Sequence, residues 1–307
     1  MISIAMATYN GDKYLHEQID SILAQTEQDF ELVVSDDHSM DKTWEILQEY
    51  ASKYSRIHIY QNEQNLGFVK NFERAMTLCK GEYIALCDQD DIWTFDHLSV
   101  LLENIGENSC CCGDAILLEN GELTDRLSKR DGVVVTYLDT PDKKLKRILY
   151  SGSPFQGASM MVKQSHLKYI FPFPSINMHD VWIALYACIN NSMEYTVDKT
   201  ITYYRQHAAQ ITRHEKRSQW YYVRNLNRNK YKQSDRLLYI NALLQRFPEM
   251  DENHKNELLM AKRWFEKQHS RWFRFKNIPF WIKTYPYRFP NQSRKLLLLK
   301  LARFLFL

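Results

Sequence analysis

Apolar positions in the first hundred residues switch between two spacings. Residues 2–7, 30–35 and 57–60 are short apolar runs with the length and composition of buried strands. Between the first two, Leu15, Ile19, Ile22 and Leu23 recur at helical spacing and predict an amphipathic helix over 12–25, after a Tyr9-Asn10-Gly11 turn. Trp44, Leu47 and Tyr50 predict a second helix, capped by Ser39 or Asp41. A third follows over 68–78, behind the Asn65-Leu66-Gly67 loop, and a fourth strand runs through 82–86 and ends at Asp88. This alternation predicts an α/β fold, a largely parallel sheet with helices on both faces. Ligands of such sheets sit beyond the carboxyl ends of the strands. Thr8-Tyr9-Asn10, Asp36-Asp37 and residues 88–91 all fall at those ends, so three polar clusters far apart in sequence are expected in one crevice.

The pattern is less regular afterwards. Residues 110–118 read as a strand, and the polar stretch 119–146, with Gly121, Gly132 and Pro141, as a mobile loop holding one short strand at 133–137. Residues 157–162 read as a strand, 179–185 as a helix opening, and 194–197 and 201–204 as two further strands. From about Arg213 the pattern is helical and basic, divided by Pro279, Pro286 and Pro290. The chain therefore divides into a body, 1–210, and a tail, 211–307.

Charge sharpens that division. The net charge of +3 conceals 18 Lys and Arg against 30 Asp and Glu in 1–210, and 22 against 7 in 211–307. A basic tail on an acidic body suggests an anionic partner, lipid or nucleic acid. In the tail Trp264, Phe265, Trp272, Phe273, Phe275, Ile278, Phe280, Trp281 and Ile282 are interleaved with Arg263, Lys267, Arg271, Arg274, Lys276 and Lys283. That mixture resembles an interfacial membrane segment; packing on the body or on a partner chain is the other reading. No recognised nucleic-acid module accompanies it, so no nucleic-acid partner is expected. The six cysteines, three of them consecutive at Cys110-Cys111-Cys112, suit neither a disulfide framework nor a zinc site and imply reduced, cytosolic thiols. Residues 2–6 lack the basic start of a signal peptide. The longest apolar candidate, 296–307, is interrupted by Lys300 and Arg303 and is shorter than a bilayer span.

Cys87-Asp88-Gln89-Asp90-Asp91-Ile92-Trp93 carries the densest candidate chemistry. Like charges this close repel. A bound Mg²⁺ or Mn²⁺ removes the repulsion and takes its remaining ligands from substrate phosphates. Asp88 and Asp90 would point one way on an extended backbone and Asp91 the other. The alternative is a solvated acidic turn capping a helix that begins near Thr94.

The motifs Ala7-Thr8-Tyr9-Asn10, Val34-Ser35-Asp36-Asp37-His38-Ser39, Asn65-Leu66-Gly67, Asp88-Gln89-Asp90-Asp91, His179-Asp180-Val181-Trp182 and Tyr204-Arg205-Gln206-His207 occur in that order. Together they resemble family 2 glycosyltransferases of the GT-A fold over roughly 1–210, and the Asp-Gln-Asp-Asp-Ile-Trp form looks most like the bacterial rhamnosyltransferase-type branch. The resemblance implies transfer of a sugar, with inversion, from a dTDP- or UDP-linked donor to a lipid-linked saccharide in O-antigen, capsule or cell-wall polysaccharide assembly. It implies that Thr8, Tyr9 and Asn10 border the nucleobase, with Tyr9 stacked on it, and that Asp36 or Asp37 accepts the base N–H. His38 stands where glycine is usual in that turn. Asn65 and Gly67 would complete the nucleotide site, and Asp88 would meet the ribose or the metal shell. Asp90, with His207, would bind Mn²⁺ or Mg²⁺. Asp180 would be the catalytic base, preceded by His179 where the family more often has Glu. Asp91, Trp93, Gln156, Gly157, His179 and Trp182 would line the donor and acceptor pocket. The implied location is peripheral, on the inner leaflet of the bacterial plasma membrane. Without the resemblance, Asp180 is a helix cap, Tyr9 a core aromatic and His207 a surface histidine. The competing function is a non-catalytic, membrane-docked scaffold with a vestigial nucleotide-sugar pocket. A nucleotidyltransferase lacks support because no Gly-rich phosphate loop precedes the first helix.

Overall fold

The computed structural model describes residues 1–127, 138–207, 210, 229–267, 271–288 and 301. The chain divides into two compact units, one of Met1–Leu127, Phe155–Ala187 and Ser192–His214, the other of Ser128–Pro154, Cys188–Asn191 and Glu215–Leu307.

In the first unit β1 (Ile2–Thr8), α1 (Leu15–Leu23), β2 (Phe30–Asp36), α2 (Thr43–Lys53), β3 (Ile57–Gln61), α3 (Phe68–Leu78) and β4 (Tyr83–Cys87) follow the predicted alternation. Then come β5 (Ile92–Trp93), α4 (His97–Ile105), β6 (Cys110–Glu119), β7 (Glu122–Arg126), β8 (Met160–Lys163), α5 (His179–Ile189) and β9 (Met193–Gln206). The sheet order is β3-β2-β1-β4-β8-β6-β9-β5, with β7 paired to β6. Ile2, Ile4 and Met6 of β1 and Leu15, Ile19 and Ile22 of α1 are all buried in one core. Each such side chain contributes about 1.5–3 kcal/mol by leaving water, which explains why the first hundred residues read so plainly.

The sheet is mixed, not largely parallel. β1 is parallel to β2 and β4, and β2 to β3, but β8 enters antiparallel to both β4 and β6. β5 is antiparallel to β9, and β6 is parallel to it. An apolar run reports burial and not direction, so the reversal at β8 is invisible in sequence. Residues 157–159 are a short 3₁₀ turn before β8, and the two strands expected at 194–197 and 201–204 are one long strand with shifted register.

The second unit holds the helices Pro141–Ser151, Asn229–Arg246, Glu252–Lys267, Arg271–Lys276 and Ile278–Arg288. The first of these corrects the mobile-loop reading of 119–146. Thr140 accepts a side-chain cap bond from the Lys143 N–H, Pro141 stands in the first turn, and Leu145, Ile148, Leu149 and Tyr150 are buried. Tyr150 donates to Glu257 Oε1 at 2.6 Å, tying that helix to Glu252–Lys267. The strand expected at 133–137 lies outside the described residues. Several tail aromatics are core: Trp264, Phe265 and Trp281 are buried, with the Trp264 and Phe280 rings 4.9 Å apart. Leu259, Met260, Phe275 and Ile282 stay exposed. All six cysteines are buried and free of disulfides.

Candidate functional site

Parallel pairing puts the carboxyl ends of β1, β2 and β4 on one edge, with Thr8 opposite Asp36 and Met6 opposite Cys87. Asp36 is fully buried. Its Oδ1 accepts from Thr8 Oγ1 at 2.9 Å and Ser39 Oγ at 2.6 Å, and its Oδ2 from the Ser39 N–H and Gln61 Nε2 at 3.1 Å. Asp37 is equally committed. Oδ1 accepts from Asn62 Nδ2 and the Leu66 N–H, both at 2.7 Å, and Oδ2 from the Gly67 N–H at 2.9 Å. These two carboxylates therefore shape the pocket wall: Asp36 sets the turn after β2, and Asp37 fastens the Asn65-Leu66-Gly67 loop. Asn65 adds a bond to the Gly67 N–H. The turn needs left-handed backbone at position 38, which glycine adopts freely; His38 adopts it here with φ 62°, its Nδ1 3.2 Å from the Asn62 carbonyl.

Tyr9 is 47% exposed, so it is no core aromatic. Its N–H donates to Gln89 Oε1 at 2.8 Å and its carbonyl accepts from Gln89 Nε2 at 3.0 Å, which ties the β1 end to the acidic loop. Gly11 makes room for that bridge, since a Cβ there would lie 2.2 Å from Gln89 Oε1. Asn10, with φ 48°, accepts the Met40 N–H at 2.9 Å and donates its own N–H to Ser39 Oγ.

None of the three loop carboxylates caps the next helix, which starts at His97 behind Asp96. Burial, then the neighbouring charges of Asp90 and Asp180, push the Asp88 carboxyl up to about 8. That coupling brings the loop and Asp180 within electrostatic reach of each other. Asp91 is fully buried and raised by burial and by Asp90 and Asp88; its Oδ1 accepts the Arg205 N–H at 2.8 Å and its Oδ2 has no partner. Asp90 Oδ2 lies 2.7 Å from His207 Nε2, both side chains being 15% exposed. Among the described residues no three His, Cys, Asp or Glu side chains converge to hold a metal by themselves. A carboxylate and an imidazole facing each other beside a second, charge-strained carboxylate fit Mg²⁺ or Mn²⁺, which complete their shell with phosphate oxygens and water.

Asp180 opens α5 and is buried. Burial raises its carboxyl to about 6, against the lowering effect of the Val181 and Gly157 N–H bonds. Its Oδ1 accepts the N–H of the next residue, Val181, at 2.7 Å in the first turn of α5. His179 is 4% exposed, its ring stacked 4.0 Å from Phe72, and burial holds it neutral with a value of about 3. Gly157 lies flush against both, as a Cβ there would stand 3.4 Å from His179 Nε2 and 3.9 Å from Asp180 Oδ2. Gln156 is half-buried beside them, its carbonyl accepting from Cys112 Sγ and from the Ser159 N–H.

Two expected pocket residues are instead core. Trp182 is fully buried and its Nε1 donates to the Ile170 carbonyl; Trp93 is 3% exposed and stacked 3.7 Å from His97. Large apolar surface is worth more inside. Conversely, several organising residues carry no sequence signal. Asn71, inside α3, donates to the Ser35 and Thr8 carbonyls and accepts from Asn62. Gln89 was legible only as the spacer between Asp88 and Asp90.

The α/β fold with a mixed sheet, an acidic loop and a raised carboxylate at its carboxyl edge is of the GT-A type. Residues 3–171, more than half of the chain, match glycosyl transferase family 2, and the chain belongs to that family. TuaG of Bacillus subtilis (strain 168), a glycosyltransferase named for teichuronic acid biosynthesis, is 32% identical over 129 residues, 41% of this chain and 51% of TuaG. The chain thus matches about half the length of that relative. The structure of S. aureus TarS 1–349 with UDP-GlcNAc aligns over 92% of this chain and 79% of that one, with TM-score 0.63 and 22% identity. The mannosyltransferase PcManGT from Pyrobaculum calidifontis, with GDP-Man and Mn²⁺, aligns over 99% and 80%, with TM-score 0.59 and 14% identity. At those identities the likeness is one of fold.

Proposed function

We infer that this chain transfers a sugar, with inversion, from a nucleoside diphosphate donor to a hydroxyl of a cell-surface polysaccharide precursor. The observation that carries this reading is the meeting of Asp88 and Asp90 with His207 and Asp180, from three separate segments, at one sheet edge. Family membership, a relative named for teichuronic acid biosynthesis and fold relatives holding UDP-GlcNAc and GDP-Man support it. In the reaction the Asp180 carboxylate takes the proton of the acceptor hydroxyl. The acceptor oxygen attacks the anomeric carbon from the face opposite the diphosphate, and the bond from that carbon to the phosphate oxygen breaks with its electron pair on the diphosphate. Asp90 and His207 would hold Mg²⁺ or Mn²⁺, which when bound supplies Lewis-acid stabilisation of that charge. Thr8 and exposed Tyr9 border the nucleobase, and Asp36 and Asp37 act by fixing the loops around it. The donor is a UDP- or dTDP-sugar, dTDP-L-rhamnose among them.

Thermal shift with UDP, dTDP, GDP and CMP, each with and without Mn²⁺, tests the reading. A metal-dependent rise with UDP or dTDP is expected. A folded sample that shifts with none of them would leave the non-catalytic scaffold as the better account.

The acceptor in this reading is a saccharide carried on lipid at the inner leaflet. Among the described residues no helix is long and apolar enough to cross a membrane. The exposed Leu259, Met260, Phe275 and Ile282, on helices that also carry Lys262, Arg263, Lys276 and Lys283, suit an anionic interface instead. Each cation there adds about 1 kcal/mol. Sedimentation with vesicles of anionic lipid is expected to capture the protein, and Phe275→Asp with Ile282→Asp to release it. Equal capture by neutral vesicles would sink this part.

A further inference from the structure

The acidic loop poses a physical problem that the residues assigned so far leave open. Asp88, Asp90 and Asp91 crowd three carboxylates into four positions, and like charges this close repel. Some part of the protein must hold it in one shape. Arg205, near the end of β9, touches it twice: its N–H donates to Asp91 Oδ1 and its Nε–H to the Asp90 carbonyl, both at 2.8 Å. The guanidinium is itself immobilised from α1 and the turn before it. Its Nη2 pairs with Glu17, and its plane lies over the Tyr14 ring, 4.7 Å from the centroid. The Tyr14 ring also packs 4.8 Å from the ring of His207, whose Nε2 meets Asp90 Oδ2. The contacts close on themselves: Tyr14 and Glu17 hold Arg205, Arg205 holds the loop at Asp90 and Asp91, and Tyr14 seats the imidazole that faces Asp90.

We propose that Arg205, locked by Glu17 and Tyr14, is a positioning residue that keeps Asp90 and His207 at the spacing in which they take a divalent cation together with the donor's diphosphate. It rests on the reading of Asp90 and His207 given above and assigns Arg205 no contact with substrate. The planar guanidinium is essential because it uses Nε, Nη2 and its face at once, on three different partners. A lysine keeps the charge and loses that geometry.

The test uses the full chain as wild type, Arg205→Lys and Glu17→Gln, with Mn²⁺ in the presence of UDP as the probe and free Mn²⁺ read by electron paramagnetic resonance. Arg205→Lys is expected to raise the Mn²⁺ Kd about 10- to 100-fold, as loss of an orienting partner does at metal sites. Glu17→Gln should move it in the same direction by less. Circular dichroism should show both variants folded, and UDP affinity without metal should stay as in the wild type. An unchanged Mn²⁺ Kd in both variants would overturn the proposal, and so would failure of both to fold, which would make the cluster a stability element. A wild type that takes up no Mn²⁺ with UDP would instead remove the reading of Asp90 and His207, and the proposal with it.

Discussion

Asp180→Asn is expected to lower kcat by about 10²–10⁴-fold, the range for loss of a general base, while leaving nucleotide binding intact. The substitution is close to isosteric, so the Val181 N–H bond to the side-chain oxygen can persist and the start of α5 should not unravel. The pH dependence gives an independent readout. The carboxyl titrates near 6 in the free protein because burial disfavours its charged form. It acts as a base only when ionised, so kcat/KM should fall as pH drops through about 6 and level off above it, a limb that Asp180→Asn removes. A variant that keeps wild-type turnover, or a profile flat through pH 6, would remove Asp180 from the role of base.

Asp90→Ala carries the second large effect. Loss of a group that stabilises developing charge costs of order 10²–10³ in kcat, and here it also removes the carboxylate facing His207 at 2.7 Å. Metal-dependent thermal stabilisation by UDP should vanish. The metal-free protein should melt no lower than the wild type, because Asp90 raises both Asp88 and Asp91 by repulsion and its removal relieves both. A gain or neutrality in apo stability combined with lost ligand response separates a functional carboxylate from a structural one. Asp90→Ala that melts well below the wild type and still responds to Mn²⁺ and UDP would reverse the assignment.

Legibility of the site followed the physics of each signal. Asp88, Asp90 and Asp180 were readable because carboxylates placed at strand or helix ends are costly unless used, and the raised carboxyls of Asp88 and Asp180 express that cost. Asp37 was readable as important, while its structural share, accepting from Asn62 and from the Leu66 and Gly67 N–H groups, was not. Trp93 and Trp182, part of the motifs themselves, are buried, Trp93 stacked on His97 and Trp182 donating to the Ile170 carbonyl. The helix Pro141–Ser151 had its signals, a Thr-Pro start and apolar residues at helical spacing, outweighed by surrounding polar residues.

By itself the sequence determined the α/β alternation of 1–88, the edge where the polar clusters gather and the residue types able to do the chemistry. Those follow from local periodicity and from the expense of placing like charges together. Only the tertiary structure decided the antiparallel insertion of β8, and it made the partnership of Asp90 and His207, implied by the family resemblance, a direct 2.7 Å contact. It also decided the hold of Glu17 and Tyr14 on Arg205. These depend on contacts between segments distant in the chain, and neither direction of pairing nor partner choice leaves a periodic trace in the residues that make them.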